Sequence, residues 1–301
     1  MEKRLGLVGL GKMGKNIAIN LLSKGYSLVV YNRSEGPAIE LSSKGASVAR
    51  SLGELVSSLE RPRTVWLMLP AEEPTDNAIS SLSSMLDSGD AIIDGSNSNY
   101  ADSVRRAESL RPKGIAYLDA GCSGGPSGAL NGMCIMVGGS SEAYAKNKRL
   151  FEDLSVPGGA MHTGPTGSGH FVKMVHNAIE YGMMQSIAEG AELLGRGPYE
   201  GLELEKIFPL WQKGSVIRGY LTELAGRALL KDPSLNSVSP YVEDNGEGRW
   251  AAKIALDSGI PLTSLAHSVF ERFSSRDERR FGLRLLAALR HEFGGHEIKT
   301  G

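Results

Sequence analysis

Lys173, His176, Asn177, Glu180 and Tyr181 fall at i, i+3, i+4, i+7 and i+8 within one stretch that runs from Gly167 to Tyr181. On a helix these positions form one continuous polar stripe. Val172, Val175, Ile179 and Met183 fall on the opposite side, where a core is expected. A helix that is merely wet on one side predicts a mixture of Lys, Glu and Ser there. One each of Lys, His, Asn, Glu and Tyr is instead a set of distinct chemical groups. Removing hydride from a carbinol carbon needs a base for the hydroxyl proton, and a lysine desolvated in a closed cleft supplies one. Glu180, two turns along the same face, adds an acid whose proton affinity its surroundings can tune. Oxidation of an alcohol alone does not require that second group, so the set suits chemistry on a hydroxy acid.

Such chemistry needs a hydride acceptor, and the N-terminus carries a signal for one. Gly9-Leu10-Gly11-Lys12-Met13-Gly14 is a G-x-G-x-x-G directly after an apolar strand-like run and at the start of a helix-like one. Gly9 permits a tight turn, Gly11 lets the backbone approach a pyrophosphate, and Gly14 lets the helix pack closely on the strand. The helix N-terminus then offers N–H groups to the phosphate charge. At the end of the second strand an NAD site usually places Asp or Glu on the ribose 2′-hydroxyl. This chain has Asn32-Arg33-Ser34 there, with Glu35 one residue later. An Arg and a hydroxyl suit a 2′-phosphate, so NADP is favoured over NAD as cofactor.

The elements that must position these groups divide the chain. Leu5–Val8, Leu28–Tyr31, Thr64–Leu69, Ala91–Asp94 and Ala116–Asp119 read as buried strands. Asn16–Ser23, Ala38–Lys44, Thr75–Met85 and Ala101–Leu110 between them read as helices, and two more strands, Cys134–Val137 and Met161–Thr163, flank a helix at Glu142–Leu154. Repeated strand–helix order implies a parallel sheet covered on both faces. Beyond a glycine cluster at Gly164–Gly169, only helical segments follow: Phe171–Leu194, Leu204–Gln212, Val216–Leu230, Tyr241–Ser258, Thr263–Ser274 and Arg276–Glu292. The expected fold is therefore an α/β Rossmann-type N-terminal domain, residues 1–164, followed by an all-α C-terminal domain, residues 165–301, for substrate and dimerisation.

Composition narrows the classes. The chain has 301 residues, 33 Lys+Arg against 34 Asp+Glu, and a formal net charge of −1, which argues against a nucleic-acid partner held by bulk electrostatics. The apolar run before Gly9 is too short for a signal or membrane segment, so a cytoplasmic protein is expected. Cys122 and Cys134 are the only cysteines and lack metal-ligand spacing. They read as buried core thiols, and no metal is expected.

The glycine fingerprint, Asp119-Ala120-Gly121-Cys122-Ser123-Gly124-Gly125 and the Lys173 helix resemble the β-hydroxyacid dehydrogenase superfamily. Within it, the Lys173–Tyr181 stretch resembles the 6-phosphogluconate dehydrogenases. So do Asp94-Gly95-Ser96-Asn97-Ser98, Gly246-Glu247-Gly248-Arg249-Trp250, Ser274 to Arg279 and Arg290 to His296. The length fits a shorter branch of that family, of roughly 300 residues. The resemblance implies oxidation and decarboxylation of 6-phosphogluconate by a homodimer or homotetramer whose active site is shared between subunits. It implies Lys173 as general base and Glu180 as the acid that protonates C1 of the enediol. Ser123, Gly124, Gly125 and His176 would hold the C1 carboxylate, while Asn97 and Asn177 position hydroxyls and nicotinamide. Tyr181 and Arg279 would bind the phosphate, with Arg290 and His296 arriving from the partner subunit. One position departs from the family pattern. Longer members carry a Lys in the loop Lys-Gly-Thr-Gly-x-Trp, and Asn245 stands there in this chain. Arg249 either compensates for that cation or forms a structural ion pair. Two competing readings are a simple 3-hydroxy-acid dehydrogenase, which has no need of Glu180, Arg279, Arg290 and His296 together, and a non-catalytic sensor of nicotinamide state.

Overall fold

A computed structural model describes residues 3–294 and 297–299, so His296 lies outside the described residues. Two compact units divide the chain inside one long helix, Met1–His176 and Asn177–Gly301.

The first unit alternates as its apolar runs require. In order come β1 (Arg4–Val8), α1 (Lys12–Ser23), β2 (Ser27–Tyr31), α2 (Glu35–Ser42), β3 (Ser47–Val48), α3 (Leu52–Ser57), β4 (Thr64–Leu67), α4 (Glu73–Leu82), β5 (Ala91–Asp94) and α5 (Tyr100–Leu110). β6 (Ala116–Ser123), α6 (Gly125–Asn131), β7 (Met133–Gly138), α7 (Ser141–Leu154) and β8 (Ser155–Gly164) follow, and α8 (Ser168–Arg196) leaves the sheet. The strands form one sheet in the order β3-β2-β1-β4-β5-β6-β7-β8. The order reverses beside β1, and such a switch point opens a crevice at the carboxyl ends of the strands. Apolar residues bury on both faces, Leu7, Ile17, Trp66 and Ile93 in one cluster and Leu55, Val65, Leu67 and Ile92 in another.

One pairing departs from the all-parallel expectation. β6 and β7 run antiparallel, with Cys122 opposite Ile135 and Ser123 opposite Cys134. The connection between them holds only the short α6, too little chain for a parallel crossover. The thiols also differ from expectation: Cys134 is exposed and Cys122 only half-buried, because both sit near the end of this pair. α3 and α6 were not anticipated. Six residues carry α3, fastened by Ser51 Oγ, which accepts from the Glu54 N–H at 3.1 Å.

The second unit continues α8 and adds α9 (Leu204–Trp211), α10 (Tyr220–Lys231), α11 (Glu247–Asp257), α12 (Thr263–Ser274) and α13 (Phe281–Gly294). α9 packs on α10 and α11 on α12. Helix α11 begins at Glu247 rather than Tyr241, since Asp244-Asn245-Gly246 favours a turn and Gly246 has φ +106°. Among the described residues, no helix is long and apolar enough to cross a membrane.

The orientation of α8 corrects the sequence reading. Met174, Ala178 and Tyr181 are buried, together with Asn177 from the polar stripe, whereas Val172, Val175, Ile179 and Met183 are exposed in the single chain, Met183 by 52%. Periodicity identifies two faces of a helix but not which one meets its own chain.

Candidate active site

The glycine turn after β1 has the shape its sequence implies. Gly9 adopts φ +90°, and a Cβ there would strike the Met68 carbonyl oxygen. A Cβ on Gly14 would strike the Gly9 carbonyl oxygen, so close packing of α1 on the turn after β1 needs glycine at 14, as the approach to Met68 needs it at 9. At Gly11 a Cβ would meet nothing within 4 Å. The backbone is therefore open to a phosphate at the α1 N-terminus, just before Lys12. The residues fit a dinucleotide. Met13 packs against the core, and Lys12 is exposed. Asn32 braces the turn: its Oδ1 accepts from the Leu10 N–H at 2.9 Å, and its Nδ2 donates to the Ser34 carbonyl and hydroxyl oxygens, each at 2.9 Å. Arg33 and Ser34 are exposed beside it, and Glu35 opens α2.

Asn97 stands exposed in the loop after β5, between the buried Ser96 and Ser98. Both serines are anchored from below. The Asp94 carboxylate takes the Ser96 N–H at 3.0 Å and the Ser96 hydroxyl. Arg106, from α5, donates to Asp94 Oδ2 at 2.9 Å, to Ser98 Oγ at 2.7 Å and to Asp76 at 2.7 Å. Tyr117 donates its hydroxyl to Asp94 Oδ2 at 2.7 Å. Burial alone would lower the Arg106 pKa, but the charge of Asp94 and the bond to Asp76 carry it upward, so the guanidinium stays ionised. The side chain is only 1% exposed. The loop motif is legible in the sequence, but Arg106 is not, because an arginine in a helix carries no signal of burial.

Three glycines seat α8 on the ends of β6 and β7. A Cβ on Gly121 would collide with the Lys173 Cβ and lie 2.8 Å from the Gly169 carbonyl oxygen. A Cβ on Gly138 would lie 2.6 Å from Asp119 Oδ1, and one on Gly169 would strike the Asp119 and Met136 carbonyl oxygens. The fully buried Asp119 closes the start of the helix, accepting from the Gly167 N–H at 2.7 Å and the His170 N–H at 2.9 Å. His170 Nδ1 and Ser103 Oγ, 2.7 Å apart, tie α8 to α5. This seating brings Lys173 beside Gly121 and His176 Nε2 to 3.1 Å from Ser123 Oγ. After Ser123 the chain turns through Gly124 (φ +124°) and Gly125 (φ +60°), and the Gly125 backbone is open on the side of a would-be Cβ. Burial pushes the Cys122 thiol up to about 12, against the opposing pull of the Lys173 charge.

Further along α8, the second unit gathers Asn177 and Tyr181 around Glu247. Asn177 Nδ2 donates to Glu247 Oε1 at 2.8 Å, and Tyr181 OH donates to Oε2 at 3.3 Å. The Arg272 guanidinium lies 3.5 Å above the Tyr181 ring. Burial, reinforced by Glu247, raises the Tyr181 pKa despite the Asn245 N–H and Arg272. Glu180 is half-buried one residue earlier. Arg249 forms the ion pair that was one of its two readings: its Nε is 2.9 Å from Asp244 Oδ1, with Arg276 on the other carboxylate oxygen at 3.1 Å. Arg279 is not brought to Tyr181. Its side chain is 91% exposed and pairs with Asp277 at 3.6 Å. Arg290 is exposed on α13. Glu247 and Arg272 were missed. The only signal for Glu247 was a carboxylate between two glycines, and Arg272 had none beyond its place on α12.

Residues 4–164 match the NAD binding domain of 6-phosphogluconate dehydrogenase, and residues 169–298 match the 6-phosphogluconate dehydrogenase C-terminal domain. The chain belongs to the 6-phosphogluconate dehydrogenase family. It is 41% identical to Bacillus subtilis YqeC, over 97% of this chain and 98% of that protein. It is 40% identical to the NAD(+)-dependent, decarboxylating 6-phosphogluconate dehydrogenase of Haloferax volcanii, over 98% of each. Among solved structures, the 6-phosphogluconate dehydrogenase of Plasmodium falciparum superposes with a TM-score of 0.83 at 30% identity, covering 99% of this chain and 66% of that longer one. That enzyme has been solved in its apo form and with NADP+ or 6-phosphogluconate.

Proposed function

We propose that this chain converts 6-phosphogluconate to ribulose 5-phosphate and CO2 while reducing a nicotinamide dinucleotide. The observation that carries the reading is the seating of α8, which puts Lys173 against Gly121 and His176 against Ser123 on a helix that also bears Glu180. The glycine turn of Gly9, Gly11 and Gly14 would hold the nicotinamide dinucleotide, which when bound would supply the hydride acceptor for C3. Lys173 takes the C3 hydroxyl proton and returns it to the carbonyl oxygen as the C1 carboxylate leaves as CO2. Glu180 then gives a proton to C1 of the enediol, and this second acid separates the reaction from simple alcohol oxidation. Ser123 and His176, with the Gly124 and Gly125 backbone, hold the carboxylate, and Asn97 and Asn177 orient hydroxyls. Arg272, resting on Tyr181, supplies a cation for the phosphate where Asn245 replaces a lysine. The exposed apolar face of α8 fits a homo-oligomer in which a second copy covers it and brings Arg290 and His296.

The decisive assay follows dinucleotide reduction and CO2 release with 6-phosphogluconate. Lys173→Met is expected to lower kcat by orders of magnitude with dinucleotide binding retained. Reduction without CO2 would favour a simple hydroxy-acid dehydrogenase, and no turnover of any hydroxy acid a sensor. For the cofactor, the exposed Arg33 and Ser34 support NADP, while Glu35 and the named preference of the Haloferax relative favour NAD. The ratio of kcat/KM for the two, in wild type and Arg33→Asp, tests this: a shift toward NAD in the variant supports the NADP reading.

A further inference from the structure

Glu247 is a buried carboxylate, 3% exposed, to which the reaction above gives no part. It is the first residue of α11, where the unmade N–H groups of a helix N-terminus favour negative charge. Both its oxygens are used, one by Asn177 and one by Tyr181. Those donors stand four residues apart on α8, so a single carboxylate bridges two successive turns of the polar stripe. The Tyr181 oxygen also accepts from the Asn245 N–H at 3.2 Å, which closes the turn ahead of α11 onto α8. Gly248 makes the approach possible: a Cβ there would lie 2.9 Å from the Tyr181 ring and 2.7 Å from Val269.

The arrangement limits what Tyr181 can do. A phenol has one proton, and here it goes to Glu247. Direct donation from Tyr181 to a phosphate would require that bond to break. What Tyr181 offers instead is its ring, with the Arg272 guanidinium carbon 3.5 Å from its centroid in cation–π contact. The same carboxylate fixes which way the Asn177 amide turns, since its NH2 group faces Glu247.

We propose that Glu247 is a positioning residue for the sugar acid: it sets the Asn177 amide directly and the Arg272 guanidinium through the Tyr181 ring. The inference rests on the reading of Asn177 and Arg272 as substrate ligands. Glu247→Gln keeps the size but can accept from only one of the two donors. The expected result is a rise of about tenfold in KM for 6-phosphogluconate, the scale of one lost charge-assisted bond, with KM for the dinucleotide unchanged. Tyr181→Phe removes the phenol proton and is expected to raise the same KM. The double variant should fall short of the product of the two effects, because both act along one path. A purely structural Glu247 would lower the melting temperature and the active fraction but leave KM for the sugar acid where it was. That result overturns the proposal, as do equal rises in both KM values or fully multiplicative effects. Should Glu247→Gln fail to fold, Tyr181→Phe decides alone, and an unchanged KM there refutes it. A wild-type chain that does not turn over 6-phosphogluconate overturns both this inference and the function it rests on. A turning-over wild type with unaffected variants overturns this inference only.

Discussion

Substituting Arg106 by Met takes a guanidinium out of the buried network under the Asn97 loop while keeping most of the aliphatic bulk. The cost follows from what is left behind. Asp94 is fully buried, and losing its charged partner leaves a carboxylate with only Tyr117 and Ser96 as donors. Removing one partner of a buried ion pair typically costs about 3–5 kcal/mol. Because three neutral donor groups from two residues remain on Asp94, the low end, about 3 kcal/mol, is expected. Asp76 is about one-third exposed and is solvated when freed, so it adds little. With a urea slope of about 1–3 kcal/mol/M, the unfolding midpoint should fall by about 1–3 M. Trp66, fully buried in the same sheet, provides a fluorescence probe for this unit. Asp94→Asn in the Arg106→Met background should recover part of the loss, because it removes the stranded charge. Ser98 also loses its anchor, so the folded variant should bind dinucleotide or sugar acid less well through Asn97. A destabilisation under about 1 kcal/mol, with no recovery in the double variant, would refute this account of the network.

Gly121→Ala places a methyl against the Lys173 Cβ and the Gly169 carbonyl. It should push α8 off the strand end and lower kcat by about 100-fold, the scale of a 1 Å misplacement, with dinucleotide affinity kept; equal losses in both would point to general unfolding. Iodoacetamide at pH 8 should label Cys134 quickly and Cys122 hardly at all, since Cys134 is exposed and the Cys122 thiol is pushed up to about 12; peptide mass spectrometry showing equal labelling would contradict this. Burial works to raise the Asp244 pKa, but Arg249 foremost, with the Gly246 N–H and Arg276, holds it below the usual carboxylate range. Its contribution is therefore fully present above the unfolded-state value of about 4 and is lost as pH falls through the lower folded-state value. Acid titration of stability should show this decline, and Asp244→Asn should flatten it.

The alternation of the first unit was legible because its strands are buried on both faces and read as unbroken apolar runs. The glycine turn was legible because Gly9 and Gly14 meet backbone of neighbouring segments at fixed spacing, and only one residue type fits there. The same holds for the residues of the α8 stripe, whose types and spacing on one helix follow from the 3.6-residue period. Other features were hidden from the sequence. The antiparallel β6–β7 pair follows from the shortness of a connection that holds only α6, a helix with no periodic signal in the sequence. Arg272 lies in the last turn of α12 and Arg279 beyond its end, and only chain path separates the one beside Asp277 from the one over Tyr181.

The sequence by itself determined which groups the chain carries and how they are spaced along α8, since helical geometry is local and depends only on the backbone. Tertiary structure alone decided which side of α8 is covered. Gly121, Gly138 and Gly169 let the backbones approach until the Lys173 side meets the sheet, which leaves Val172, Val175, Ile179 and Met183 outward. It also decided that Glu247 holds Asn177 and Tyr181 across sequence separations of 70 and 66. Partners so far apart in sequence are chosen by packing, because the burial of a polar group is stable only where the fold supplies its hydrogen bonds.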